Sequence, residues 1–200
     1  MDSLLVYSNI GLWIVQLLIA FSLILIFRQF GTVYLRDKDA ISRDGIPIGK
    51  KIPFFEAKSI KTGSLVSKDS LVNKNKPTII TFISTRCQPC NELIPQWNKA
   101  YEEYGDDVNF LLIAIGEENN IVKLVKEKEG KGEILVDNSS IASLFQTRVT
   151  PFGFIIDHNG VVKGKGVCSS ISNINHLLSQ LDSKYVSLNL KDSSYETQTN

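Results

Sequence analysis

The sequence predicts an α/β fold, a mixed central sheet flanked by helices, preceded by one apolar N-terminal helix. Three observations predict it. From residue 78 to residue 181, short β-branched runs alternate with segments of helical periodicity. Two of the runs meet at His158-Asn159-Gly160, a hairpin signal that adds antiparallel pairing to the sheet. Finally, Leu4 to Phe27 contains no charged residue.

That N-terminal run, LLVYSNIGLWIVQLLIAFSLILIF, rises roughly 36 Å as a helix, enough to cross the hydrocarbon core of a bilayer with some tilt. A buried helix of a soluble core would be shorter or carry a polar stripe. A cleaved signal peptide would have Lys or Arg ahead of the apolar run, where only Asp2 stands, and a small-x-small site after it, which is missing beyond Phe27. The reading is an uncleaved anchor, residues 1–30, with 4–27 in membrane lipid. Charged residues follow: Arg28, Arg36, Lys38 and Arg43, mixed with Asp37, Asp39 and Asp44. Residues 31–48 are read as a polar stalk ending near Gly45-Ile46-Pro47, residues 49–182 as the globular domain, and 183–200 as a frayed polar tail.

Within the domain each element has a local reason. Thr78 to Ile83 is short, β-branched and uncharged: a buried strand. Gln88 to about Tyr104 carries Leu93, Ile94, Trp97, Ala100 and Tyr101 at helical spacing, so a helix begins at the cysteines. Val108 to Ile115 is a second buried strand. Glu118 to Lys128 is a charged helix with Ile121, Val122, Leu124 and Val125 on one face. Glu133 to Val136 makes a short strand and Ser139 to Phe145 a short helix. Phe152 to Asp157 and Val161 to Lys165 form the hairpin, with Asn159-Gly160 as a two-residue turn signal. Ser170 to Leu181 closes the domain as an amphipathic helix.

Net charge is +1, which offers no long-range attraction for nucleic acid. Cysteine is scarce: Cys87, Cys90 and Cys168. Three cysteines cannot build the dense framework of a small secreted scaffold, and an odd count leaves one outside any intramolecular bridge.

The chemistry gathers in STRCQPCNELIPQW, residues 84–97. With Cys87 at the end of a strand and the start of a helix, the unpaired N–H groups of the first turn favour thiolate over thiol. Arg86 adds a neighbouring cation. Cys87 then attacks a substrate disulfide and Cys90, one turn on, resolves the mixed disulfide; run backward, the same steps oxidise a dithiol. Pro89 at the helix start costs no hydrogen bond, and Pro95 inside the helix should kink it. Zinc would need a second pair or histidines near the first, and only Cys168, His158 and His176 remain. A permanent bridge over so short a loop would stabilise little. The pair is read as redox-active, with no metal and no cofactor.

Cys-Gln-Pro-Cys after a strand, Pro95 five residues beyond, and Thr150-Pro151 before a hairpin together resemble the thioredoxin fold. The resemblance implies that Pro151 is cis and lies beside the cysteine pair to receive the substrate chain, making Thr150, Pro151 and Arg86 substrate-binding candidates. Residues 48–55, IGKKIPFF, and the added helix and strand between Glu117 and Val136 look like the membrane-anchored TlpA/ResA-like branch. RVTPFGFIIDHNGVVKGKGV is most similar to the MauD-like methylamine dehydrogenase accessory proteins. The implied activity is forming, reducing or isomerising disulfides in exported proteins, with an unidentified membrane redox partner resetting the pair. The Gln88-Pro89 dipeptide suits the reducing ResA-like side and residues 150–178 the oxidising MauD-like side, so the direction stays open.

Three departures stand out. Arg86 replaces the tryptophan that commonly precedes the first cysteine. Thr81 occupies the place of a buried acid that helps move a proton at the second cysteine. Cys168 falls where the loop after the last strand approaches the site, either as an auxiliary thiol or as a small buried hydrophobe. Lys and Arg flank the anchor only on its C-terminal side, which by the positive-inside rule points the domain toward the cytoplasm. The resemblance and the use of thiol exchange on exported clients favour an extracytoplasmic domain instead. The competing readings are a non-catalytic assembly factor that holds a client through the thioredoxin face, and a peroxidase loosely echoed by Ser84 and Cys87.

Overall fold

The structure, a computed structural model, describes residues 2–72 and 76–181; the tail read at 183–200 lies outside the described residues. The chain divides into two units between Ser42 and Arg43. The first is a single helix, α1 (Asp2–Arg43). Its stretch Tyr7–Phe27 has a mean hydropathy of 2.6 and is nowhere buried, long and apolar enough to cross a membrane. The helix runs on through the charged segment read as a stalk, since no proline occurs before Pro47. Just past its end, Gly45 takes φ +74, the left-handed geometry that stops helices.

The second unit is built on five strands in the order β5-β4-β3-β6-β7: β3 (Thr78–Ser84), β4 (Asn109–Ile115), β5 (Glu133–Asp137), β6 (Phe152–Ile156) and β7 (Val162–Val167). β3 pairs in parallel with β4, and β4 with β5, whereas β6 runs antiparallel to both β3 and β7. The sheet is therefore mixed, and β3 lies at its centre. Its burial pattern, buried at every position but the last, is what an uninterrupted apolar run produces when both faces are covered.

Side-chain alternation splits the core into two layers. On one face Ile79 and Ile83 of β3 and Phe110, Leu112 and Ala114 of β4 meet α3 (Gln88–Tyr104) and α6 (Ile171–Leu178) through Leu93, Ile94, Trp97, Ile174 and Leu177. α4 (Glu118–Lys128) joins this layer through Ile121. Trp97 is fully buried, sits edge-on to Phe110 at 4.8 Å, and donates its indole N–H to the Lys131 carbonyl at 3.1 Å. On the opposite face Phe82, Phe145 and Phe154 form a ring cluster with centroid separations of 5.1–6.1 Å, and Phe55 meets Phe145 at 5.7 Å. Phe145 follows α5 (Ser140–Leu144), whose first turn is held by the buried Asp137 carboxylate through the N–H groups of Ile141 (3.0 Å) and Ala142 (2.9 Å).

Two features differ from the sequence reading. Before β3 the chain forms a small antiparallel pair, β1 (Glu56–Lys58) and β2 (Leu65–Ser67), and a short helix, α2 (Lys68–Val72). Three-residue strands, one burying a single side chain and the other none, leave no period to detect. The β6–β7 hairpin forms as expected, but not through a two-residue Asn-Gly loop. Only Gly160 takes positive φ; Asp157 accepts from the N–H groups of Asn159 and Val161, both at 2.9 Å, and closes a wider turn through its side chain. The lead-in segment 49–52 lies along β7, with Gly49 donating to Val162 (2.8 Å) and Val162 to Lys50 (2.9 Å).

Candidate redox site

The central strand ends at Ser84, and the chain turns once before entering α3. Thr85, in that turn, packs against Gly116 at the end of β4, where a Cβ would stand 2.8 Å from the Thr85 hydroxyl; this is a close approach that glycine permits. Cys87 is the N-cap of α3, in extended backbone geometry, and Pro89 follows in the first turn, where a missing N–H goes unnoticed. The Cys90 N–H points at the Cys87 sulfur from 3.3 Å, and the N–H groups of Cys90 and Asn91 reach the Cys87 carbonyl at 3.1 and 3.3 Å.

Cys87 and Cys90 are joined as a disulfide, with their α-carbons 5.3 Å apart. Their exposures differ: Cys87 is half-buried, while Cys90 is fully buried in the layer between the sheet and α3. An incoming sulfur can therefore reach Cys87 and not Cys90. On its outer side the Cys87 Sγ lies 3.5 Å from the Thr150 carbonyl oxygen. The Thr150–Pro151 bond is cis, and Pro151 leads directly into β6, the antiparallel neighbour of β3. The sheet thus brings Cys87, Cys90, Thr150 and Pro151 together from positions more than sixty residues apart in sequence.

The other two candidates are placed differently. Arg86 is exposed, and its backbone N–H donates to Ser84 Oγ at 3.4 Å. Cys168 is fully buried on the α3/α6 face, below Gly153 and Leu177. Its N–H donates to the Pro151 carbonyl at 3.0 Å, and its sulfur accepts from the Thr81 hydroxyl at 3.7 Å. Burial pushes its thiol up from 9.0 to about 12, with the Thr81 hydrogen bond pulling weakly the other way. Thr81, standing where an acid was looked for, serves as the polar partner of this thiol. Among the described residues, no group of three or more His, Cys, Asp or Glu side chains converges as a metal site would need.

One residue near the site escaped the sequence reading. Asp44, taken for a stalk charge, is buried against the loop that precedes Thr150. Its neighbours Arg43 and Gly45-Ile46-Pro47 carry no periodic or motif signal that would have marked it.

A model of the AhpC/TSA family matches residues 48–165. The chain belongs to the AhpC/TSA family. Within it, this AhpC/TSA chain is similar to the methylamine utilization protein MauD of Methylobacillus flagellatus, 27% identical over 179 residues that cover 88% of this chain and 86% of the relative. It is also similar to the thiol-disulfide oxidoreductase ResA of Bacillus cereus, 27% identical over 126 residues covering 62% of this chain and 71% of that protein. Among solved structures, a thiol:disulfide interchange protein of the thioredoxin family from Chlorobium tepidum superposes with a TM-score of 0.57 at 22% identity, over 67% of this chain and 97% of the other. The AhpC/TSA domain has the thioredoxin-like fold.

Proposed function

We propose that this protein is a membrane-anchored thiol-disulfide oxidoreductase acting on disulfides or dithiols of exported client proteins, with Cys87 as nucleophile and Cys90 as resolving thiol. The observation that carries the reading is the asymmetry of the pair: one reachable sulfur at a helix N-cap with an N–H aimed at it, and one sealed sulfur a turn behind. The similarity to proteins named ResA and MauD supports the same chemistry and an accessory role in maturation. The apolar stretch Tyr7–Phe27 supports the anchor, and thiol exchange on exported clients supports a domain on the extracytoplasmic side.

In the reducing direction, the Cys87 thiolate attacks one sulfur of a client disulfide. A bond forms between Cys87 and that client sulfur, and the other client sulfur leaves as thiolate. Released thiolate takes a proton from water. Cys90, deprotonated, then attacks the Cys87 sulfur, the mixed disulfide breaks, and the second client thiolate departs. Two electrons have passed to the client, and the Cys87–Cys90 disulfide has formed. A membrane dithiol partner returns two electrons to reset it. In the oxidising direction each step reverses, and a disulfide partner takes the electrons. The α3 N-terminus stabilises the Cys87 thiolate in both directions, since its free N–H groups and dipole favour negative charge on that sulfur.

The test uses the full chain in detergent micelles with a peptide disulfide as substrate. Cys87→Ser should abolish exchange while leaving thermal unfolding unchanged, and Cys90→Ser should accumulate a mixed disulfide visible on non-reducing gels. A fully active Cys87→Ser chain would overturn the mechanism. Normal client maturation in cells that carry both substitutions would instead favour a non-catalytic holding role. Labelling of intact cells with a membrane-impermeant maleimide, with and without prior reduction, tests orientation: labelling of Cys87 only after lysis under reduction would place the domain in the cytoplasm.

A further inference from the structure

The loop that lays the Thr150 carbonyl against the Cys87 sulfur has no regular secondary structure to fix it. It runs from Phe145, at the end of α5, to Pro151, and Gln146 within it takes φ +56. Its outer flank is held by three residues that follow α1. The Asp44 carboxylate accepts from the Arg148 N–H with both oxygens, at 3.1 and 3.0 Å, and from the Val149 N–H at 3.3 Å. Gly45 donates its N–H to the Gln146 carbonyl and Ile46 to the Phe145 carbonyl, each at 3.0 Å.

This strap is itself fixed. Asp44 is 7% exposed. The Lys165 ammonium donates to the Asp44 carbonyl (2.7 Å) and the Gly45 carbonyl (3.0 Å). Gly45 lies so close to the ring cluster that a Cβ would stand 2.5 Å from Phe154 and 3.0 Å from Phe152. A buried carboxylate is costly unless backbone donors or cations satisfy it, and here the donors it uses are those of the two residues before Thr150. Those N–H groups are thereby occupied. Among the described residues, the Thr150 N–H has no backbone partner, and the Thr150 carbonyl meets only the Cys87 sulfur. An unpaired N–H and a C=O that meets only the reactive sulfur suit main-chain pairing with an extended peptide.

We propose that Asp44 is a positioning residue for peptide clients: its carboxylate sets the backbone of 148–150 so that Thr150 offers its N–H and C=O to a chain whose cysteine is joined to Cys87. This rests on the thiol-exchange reading above. It also means that the segment where the domain leaves α1 is tied directly to the client-facing loop.

The test compares two disulfides on the full, pre-reduced chain in micelles. One is a peptide disulfide; the other is bis(2-hydroxyethyl) disulfide, which has a sulfur to attack but no peptide backbone to pair. Asp44→Ala should lower the ratio of peptide to small-disulfide rate constants by about tenfold or more, since a displacement of the order of 1 Å near a reacting group has effects of that size. Asp44→Asn, which keeps one acceptor oxygen, should fall between it and the wild type, and Lys165→Met should shift the ratio in the same direction. An unchanged ratio in Asp44→Asn and Lys165→Met, or equal losses toward both disulfides, would overturn the proposal by reducing Asp44 to a general stabilising role. A wild-type chain inert toward the peptide would remove the thiol-exchange reading itself, whereas an active wild type with unmoved variants would remove Asp44 alone.

Discussion

Cys87 and Cys168 touch opposite sides of one loop, and their sulfurs meet opposite chemistry. Cys87 faces the Thr150 carbonyl from the outside, half-buried, at the N-cap of a helix whose N–H groups welcome negative charge. Cys168 holds the carbonyl of the next residue, Pro151, from the inside, fully buried among Gly153, Leu177 and Thr81. The residue type is the same and the loop is the same. What separates the surroundings of the two sulfurs is the supply of backbone dipoles and the access of water.

The comparison is broken most directly by alkylation. With the pair reduced at neutral pH, iodoacetamide should modify Cys87 at least about 100-fold faster than Cys168, which reacts only when the domain opens. Comparable rates, measured by peptide mass mapping, would show that burial does not protect Cys168.

A second test uses pH. The fold holds the Cys168 thiol protonated up to about 12, against 9.0 in an ordinary environment. The native state therefore binds this proton more tightly than the unfolded chain does. Its stabilising contribution is complete below about pH 9 and is lost as pH rises toward about 12. Denaturant unfolding from about pH 8 to about pH 10 should show the wild type losing more stability than Cys168→Ala over the same interval. Parallel curves would deny the shift.

The smallest effect sharpens the packing side. Gly153→Ala would bring a methyl to 2.7 Å from Leu177 Cδ1 and 3.1 Å from Cys168 Cβ. Overpacking of this kind costs about 1–3 kcal/mol. The change should lower the unfolding midpoint while leaving the Cys87 alkylation rate near that of the wild type, because the strain falls between β6, Leu177 of α6 and Cys168, away from the Cys87 sulfur.

The long elements were legible because their signals are local. An unbroken apolar run such as Thr78–Ile83 admits few readings other than a buried strand, and the Leu93, Ile94, Trp97 spacing admits few other than a helix face. The positions of Cys87, Cys90 and Pro151 could be named from their motif alone. What the sequence hid depends on distant partners. Asp44 looks like any stalk charge until the backbone of Arg148 and Val149, more than a hundred residues away, is laid against it. Thr81 stands out in the sequence only for the acid it replaces, and its bond to Cys168 exists only once β3, β6 and β7 are in register. The turn lies at His158-Asn159-Gly160 as the sequence marks it, and only its two-residue form fails, because a carboxylate accepting two N–H groups can replace the two positive-φ residues that Asn-Gly usually supplies.

The place of Cys168, just beyond the last strand of the sheet, also has a meaning in time. A ribosome adding 5–20 residues per second needs about 4–16 s to travel from Cys90 to Cys168. During that interval the nascent chain carries only two thiols, three residues apart, and they can pair only with each other or with another molecule. By the time Cys168 is made, β6 has already been synthesised, and in the finished fold the new thiol lies against Gly153 of that strand. The order of the sequence thus leaves the Cys87–Cys90 pair without an intramolecular rival until the last third of the domain is being made.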